Sequence, residues 1–183
     1  MKRKVFSVAL HLIIDGYNLL AAGRDAKTGS RYSDMARESL LRDLAAYRHR
    51  KGHALTVVFD GWQQGQPFES KEHRAGVQVI YSRRGERADQ VIQRLAREYG
   101  SHCAVVSSDH EIVNAARAHG AFVMGAEEFS GKLRSPTMSG ATIAYKELDT
   151  EEDLHPRRGP EKKGNPRKLP KAQRQRNRQL KRF

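Results

Sequence analysis

The segment Ile13-Ile14-Asp15-Gly16-Tyr17-Asn18 constrains this chain more than any other: an apolar, strand-like run that ends in an acid, a glycine and an amide. An aspartate closing a buried strand stands where open α/β sheets place their ligand crevices, beyond the carboxyl ends of the strands. Three more acids recur in comparable settings: Asp60 after Thr56-Val57-Val58-Phe59, Asp89 opening a helical pattern, and Asp109 after Ala104-Val105-Val106. Parallel strands end on one side, so Asp15, Asp60 and Asp109 are expected at one edge. Asp89 falls near that edge or at the opposite one, according to how its helix is connected. Carboxylates arriving together repel each other, and a hard divalent cation held by oxygen ligands relieves the repulsion. The pattern points to metal-assisted phosphodiester chemistry, in which Mg²⁺ or Mn²⁺ polarises a phosphate and activates water.

The segments between these acids alternate in type. Val8–Ile14, Ala54–Phe59, Val77–Tyr81, Cys103–Val106 and Phe122–Met124 read as strands, most of them too continuously apolar to be half exposed. Residues 34–50 read as a helix with Met35, Leu40, Leu41, Leu44 and Tyr47 at helical spacing, capped by Ser33 and stopped by Gly52. Ala88–Tyr99 is a second helix, with Val91, Ile92, Leu95 and Tyr99 on one stripe and Gly100 closing it, and Glu111–His119 is a third. Gln63–Arg74 reads as polar loop. Strands alternating with helices imply an α/β fold with a mostly parallel five-stranded sheet flanked by helices.

Charge divides the chain. Residues 155–183 hold 12 Lys and Arg against the lone acid Glu161, so this stretch carries +11 of the net +13 and the rest is close to neutral. Pro156, Pro160, Pro166 and Pro170 interrupt it, and nothing in it can build a core. It reads as a tail disordered when free, with 172–183 able to become helical on a partner. The expected organisation is a domain over 1–134, a linker over 135–154 and this basic tail. The single cysteine, Cys103, excludes an internal disulfide and fits a cytoplasmic chain. No apolar run approaches a membrane span. The start, Met1-Lys2-Arg3-Lys4 before Val5 to Ile14, imitates a secretory signal, but His11 interrupts it and Asp15 and Asn18 follow.

Each singled-out residue also has an ordinary role. Asp60-Gly61 is a turn dipeptide, Asp89 suits the positive end of a helix, and Ser108-Asp109-His110-Glu111 resembles a capping box. Asp15 resists such a reading, because an acid ending a buried strand has no evident local backbone partner. Asn18 either bonds its own loop or supports Asp15 or a phosphate. Ser107 and Ser108 either satisfy the strand end or bond water at a metal. Arg83, Arg84 and Arg87 form either a solvated loop or a track for a phosphate backbone, and Arg174, Arg176 and Arg178 in the tail join them as candidate nucleic-acid contacts. Trp62 and Phe68 read as peripheral core, the more frequent case, or as platforms for an unpaired base. The eight histidines show no HExxH or paired Cys/His spacing, and neither GxSxG, GxxxxGK[ST] nor GxGxxG is present.

The stretches IIDGYNLL, VVFDG, RADQVIQRLA and VVSSDHEIVNAARAHGA, in that order over about residues 8–133, resemble the successive motifs of NYN-domain proteins, a branch of the PIN-like nucleases, and within them the YacP-like bacterial subgroup. The resemblance implies a PIN-like fold that binds Mg²⁺ or Mn²⁺ and cleaves RNA endonucleolytically. Asp15 matches the first-strand acid, Asp60 the second-strand acid, Asp89 the helix acid and Asp109 the fourth-strand acid, with Asn18 the accompanying amide. The subgroup is also associated with translating ribosomes, so RNA and the ribosome are the implied partners. Two departures stand out: Glu111 occupies the place of a frequent second aspartate, and the chain after Met124 follows the subgroup poorly, which makes the tail look like an addition. The leading expectation is a metal-dependent endoribonuclease using Asp15, Asp89 and Asp109, with Asp60 assisting and Asn18 positioning. Its rivals are a non-catalytic RNA- or ribosome-binding module and a hydrolase of small phosphate esters, the latter disfavoured by the basic tail.

Overall fold

The computed structural model describes residues 10–23, 33–61, 67–134, 171–180 and 183. The chain divides into two units, Met1–Ser135 and Pro136–Phe183. In the first, the elements run β1 (His11–Asp15), α1 (Gly16–Ala21), α2 (Asp34–Lys51), β2 (Ala54–Phe59), β3 (Ser70–Arg74), β4 (Val77–Tyr81), α3 (Ala88–Tyr99), β5 (Cys103–Val106), α4 (His110–Ala118), β6 (Phe122–Met124) and α5 (Ala126–Arg134). The second contains α6 (Lys171–Leu180), so part of the stretch expected to be disordered when free is helical; the proposed linker and residues 155–170 lie outside the described residues. Among the described residues no helix is long and apolar enough to cross a membrane.

The sheet has six strands, not five, in the order β3-β4-β2-β1-β5-β6. Every pairing is parallel except β3 with β4. The added strand, Ser-Lys-Glu-His-Arg, falls inside the segment read as polar loop. It lies at the sheet edge and is largely solvated, which removes the apolar signal, and its charges discourage edge-to-edge pairing. The turn joining it to β4 is equally hard to recognise. Ala75 and Gly76 have φ of 49° and 82°, where a two-residue hairpin usually uses Asn-Gly. Alanine is strained there. Ala75→Asn is therefore expected to stabilise the protein by about 0.5–1 kcal/mol, read as a higher urea midpoint at unchanged slope.

Helices cover both faces. On one, Ile13, Val58, Ile80 and Val105 pack with Val91, Ile92 and Leu95 of α3 and Ile112 and Ala116 of α4. On the other, α2 packs on β2 and β4, and Tyr47 meets Phe129 of α5 edge-on at 5.1 Å. Burying each large apolar side chain contributes about 1.5–3 kcal/mol. The stripe of α2 departs from expectation at its start. Met35 is 82% exposed, while Arg37 is buried and donates to the Tyr17 hydroxyl at 3.1 Å. At about 100° per residue, position 37 falls within roughly 20° of Leu44, whereas position 35 falls on the opposite side.

Candidate active site

The strand order reverses between β1 and β5, the switch point at which an open α/β sheet forms its crevice. Asp15 is the last residue of β1 and is level with Val58 of β2, while Ile14 is level with Val106 of β5. Asp60 follows β2 directly, and Ser82 and Ser107 follow β4 and β5. Four strand ends thus deliver two acids and two buried serines to one edge.

Asp15 is 8% exposed. Its Oδ1 accepts the Asn18 N–H at 3.0 Å, capping α1, and its Oδ2 accepts the Ser107 hydroxyl at 3.4 Å. The expectation that this acid lacks a local backbone partner is therefore wrong: a six-residue helix, unread in the sequence, begins immediately after it. Burial raises the Asp15 carboxyl to about 6, against the lowering effect of the Asn18 N–H; Asp89 adds to the rise, Ser107 opposes it, and Asp60 adds to it again. Gly16 is required beside it, since a Cβ there would run into the Phe59 ring.

Asp60 acts at longer range. Its Oδ1 accepts the Ala88 N–H at 2.6 Å and the Ser82 hydroxyl at 3.5 Å, so an acid after β2 caps a helix that starts 28 residues later. This bond settles where α3 begins: Asp89 lies at the same edge as the other acids. Asp109 caps α4, its Oδ1 accepting the Glu111 N–H at 2.7 Å and the Ile112 N–H at 3.4 Å. Asn18 bridges the crevice, its side-chain oxygen accepting the Ser108 N–H at 3.3 Å, and Ser108 in turn accepts the Ala126 N–H at 3.1 Å at the start of α5.

Asp89 differs from the other three. The capping bonds at the start of α3 come from Asp60 and from Gln90, whose side-chain oxygen accepts the Arg87 N–H at 3.1 Å, and Asp89 accepts no hydrogen bond among the described residues; its one ion pair there is to Arg87 at 3.9 Å. Its pKa is raised, first by burial, then lowered by Arg87 and raised again by Asp109, Asp60 and Glu111. Asp89 thus interacts electrostatically with Asp60, Asp109 and Glu111, and Asp15 with Asp89 and Asp60. Glu111, on the first turn of α4, is exposed.

The donor set is all carboxylate oxygen, the chemistry Mg²⁺ and Mn²⁺ prefer. Asp60 and Asp109 each leave a second oxygen unengaged among the described residues. No three His, Cys, Asp or Glu side chains among the described residues already stand close enough to share an ion, so gathering them requires side-chain rotation, for which half-buried Asp89 has room. Helix N-termini at this edge also offset part of the negative charge.

Of the basic candidates, Arg83, Arg84 and Arg87 are exposed on the connection between β4 and α3, with Arg83 3.4 Å from Glu86. Arg174, Arg176 and Arg178 are exposed on α6. Phe68 is not core but 77% exposed; Trp62 lies outside the described residues. Sequence reasoning missed Ser82. The signal was present in its likeness to Ser107, since each is a serine placed directly after a buried strand, beside a neighbouring strand's acid.

Among curated proteins, the Bacillus subtilis protein YacP is 34% identical over 89 residues, a match spanning 47% of this chain and only about half, 51%, of that relative. The crystal structure of Rae1 (YacP) from Bacillus subtilis is similar with a TM-score of 0.54 at 29% identity, over 67% of this chain and 72% of that one. The crystal structure of a point mutant of the same Bacillus subtilis protein superposes equally well, over 74% of that chain. The profile of the YacP-like NYN domain matches residues 12–177, past the end of the recognisable motifs and through most of α6, so the basic tail lies largely inside the family's span and is not an addition to it. With that profile covering most of its length, this chain belongs to the YacP-like NYN domain family and has the PIN-like fold.

Proposed function

We propose that this protein is a metal-dependent endoribonuclease whose centre is the acidic edge at the β1–β5 switch point. The observation that carries the reading is Asp89, half-buried among Asp15, Asp60, Asp109 and Glu111 and engaged in no backbone bond that would explain its presence. Asp15, Asp89 and Asp109 would hold Mg²⁺ or Mn²⁺, with Asp60 assisting. A bound ion of this kind polarises a phosphate oxygen and acidifies water. The chain's own residues fix the frame: Asn18 and Ser107 hold Asp15, Asp60 fixes the start of α3 and hence Asp89, and Arg83, Arg84 and Arg87 face a passing phosphate backbone. Arg174, Arg176 and Arg178 add sequence-independent attraction to RNA or to the ribosome. The setting is cytoplasmic RNA decay or processing.

A second reading, an RNA-binding module without catalysis, draws on the capping roles of Asp15, Asp60 and Asp109, each of which explains its acid structurally. Asp89 separates the two. Purified Asp89→Asn, given labelled RNA with Mn²⁺ or Mg²⁺, is expected to lose at least about 100-fold in cleavage, beyond what outer-shell changes cost. Its melting temperature and its RNA affinity in chelator should stay near wild type. Cleavage by wild type that persists in chelator, or full activity of the variant, would reject the enzyme reading.

A further inference from the structure

Phe68 stands 77% exposed and without a ring partner among the described residues, at the rim of a shallow depression of about 530 Å³. A single exposed aromatic needs no explanation by itself. Its surroundings supply one. The depression is also lined by Lys71, Arg83, Arg94, Glu69 and Glu86. The two acids are the sunken groups, with side chains 20% and 10% exposed, and Arg94 is ion-paired to both. Lys71 and Arg83 reach outward, 54% and 64% exposed, although each also pairs with one of the sunken acids, Lys71 with Glu69 at 3.3 Å and Arg83 with Glu86 at 3.4 Å. Solvent therefore meets an aromatic face flanked by two cations.

Register places this platform relative to the acids. Phe59 of β2 is level with Tyr81, and Ser70 of β3 is also level with Tyr81; just beyond these pairs Asp60 meets the Ser82 hydroxyl, and Phe68 and Arg83 line the same depression. At about 4.8 Å between strands, Phe68 stands roughly 10 Å from Asp60 along the same edge. We infer that Phe68, with Lys71 and Arg83, is a subsite that stacks one unpaired base of an RNA strand, one or two nucleotides from the bond presented to the acids, while the cations hold the adjoining phosphates. This specifies the substrate as single-stranded around the cleavage point and rests on the nuclease reading. A base offers a π-face to the ring and phosphates to the cations, whereas the charged rim lacks the apolar surround of a protein-docking pocket.

The experiment measures fluorescence anisotropy of a short labelled single-stranded RNA in chelator at low salt, where no cleavage intervenes. Phe68→Ala should weaken binding about tenfold, and Phe68→Trp should bind at least as tightly as wild type. An abasic substitution walked along the RNA should cost wild type the same factor at one position and cost Phe68→Ala nothing further there. With Mn²⁺ present, Phe68→Ala should raise KM and leave kcat within a few-fold of wild type. Equal affinity of Phe68→Ala and wild type, or an abasic penalty undiminished in the variant, overturns the subsite and leaves the nuclease reading standing. Failure of wild type to bind any RNA overturns both.

Discussion

Asp15→Asn is expected to lose at least about 100-fold in RNA cleavage and, in chelator at pH 7, to be more stable than the protein it derives from. The gain follows from burial. A carboxyl raised from 3.8 to about 6 is one whose ionised form the fold disfavours. Between those values the folded state holds a proton that the unfolded chain has released, so wild-type stability falls as pH rises through the window and levels off above about 6. For a side chain this buried the full cost is on the order of 2–3 kcal/mol. Asparagine removes the charge yet keeps the oxygen that accepts the Asn18 N–H, and it caps helices as well as aspartate does. A net gain of about 1–2 kcal/mol at pH 7, shrinking towards nothing near pH 4, is the result to look for in urea denaturation at several pH values. Mn²⁺ should raise the wild-type melting temperature and leave that of the variant nearly unmoved, because a ligand stabilises only the state that binds it. A variant no more stable than wild type at either pH 4 or pH 7 would mean that the Asp15 charge carries no burial cost and that Asp15 is simply a cap.

Much of this arrangement is legible in the sequence, and the illegible parts share causes. Strands β2, β4, β5 and β6 and helix α3 follow their apolar patterns to the residue, because burial on both sheet faces leaves continuous runs and a single helix face leaves a clear period. β3 escapes because an edge strand need not be apolar. α1 escapes because six residues are too few to show a period, and with it goes the capping role of Asp15. Arg37 occupies the buried stripe that Met35 was expected to fill, since its guanidinium finds the Tyr17 hydroxyl and Asp34. At the site, each acid could be read as facing the edge, but which of them also bonds a distant backbone could not. The bond from Ala88 N–H to Asp60 depends on a register that only the assembled sheet supplies. That is why the acid judged hardest to explain structurally, Asp15, turns out to be a cap, and Asp89 becomes the discriminating residue.

Gly61→Ala should be among the most damaging small substitutions in the domain, costing about 3 kcal/mol or more. The cause is steric and involves backbone. A Cβ at position 61 would fall well inside the 3.0 Å that real Cβ atoms observe, against the carbonyl oxygen of Ser82, which has no rotamer by which to escape. Ser82 is fixed by its N–H to Phe59 O at 3.0 Å, and its hydroxyl accepts the Gly61 N–H at 3.1 Å. Relief therefore requires β2 and β4 to part at their carboxyl ends. The same movement withdraws Asp60 from Ala88 and displaces the start of α3, on which Asp89 rides. Gly85 is the control: its φ of +83° disfavours alanine, but nothing lies within 4 Å, so Gly85→Ala should cost only about 1–2 kcal/mol. Urea denaturation of the two variants side by side isolates the clash from backbone strain. Equal losses would mean that β4 does not press on the Asp60-Gly61 corner, and the frame holding Asp89 among the other acids would have to be rebuilt.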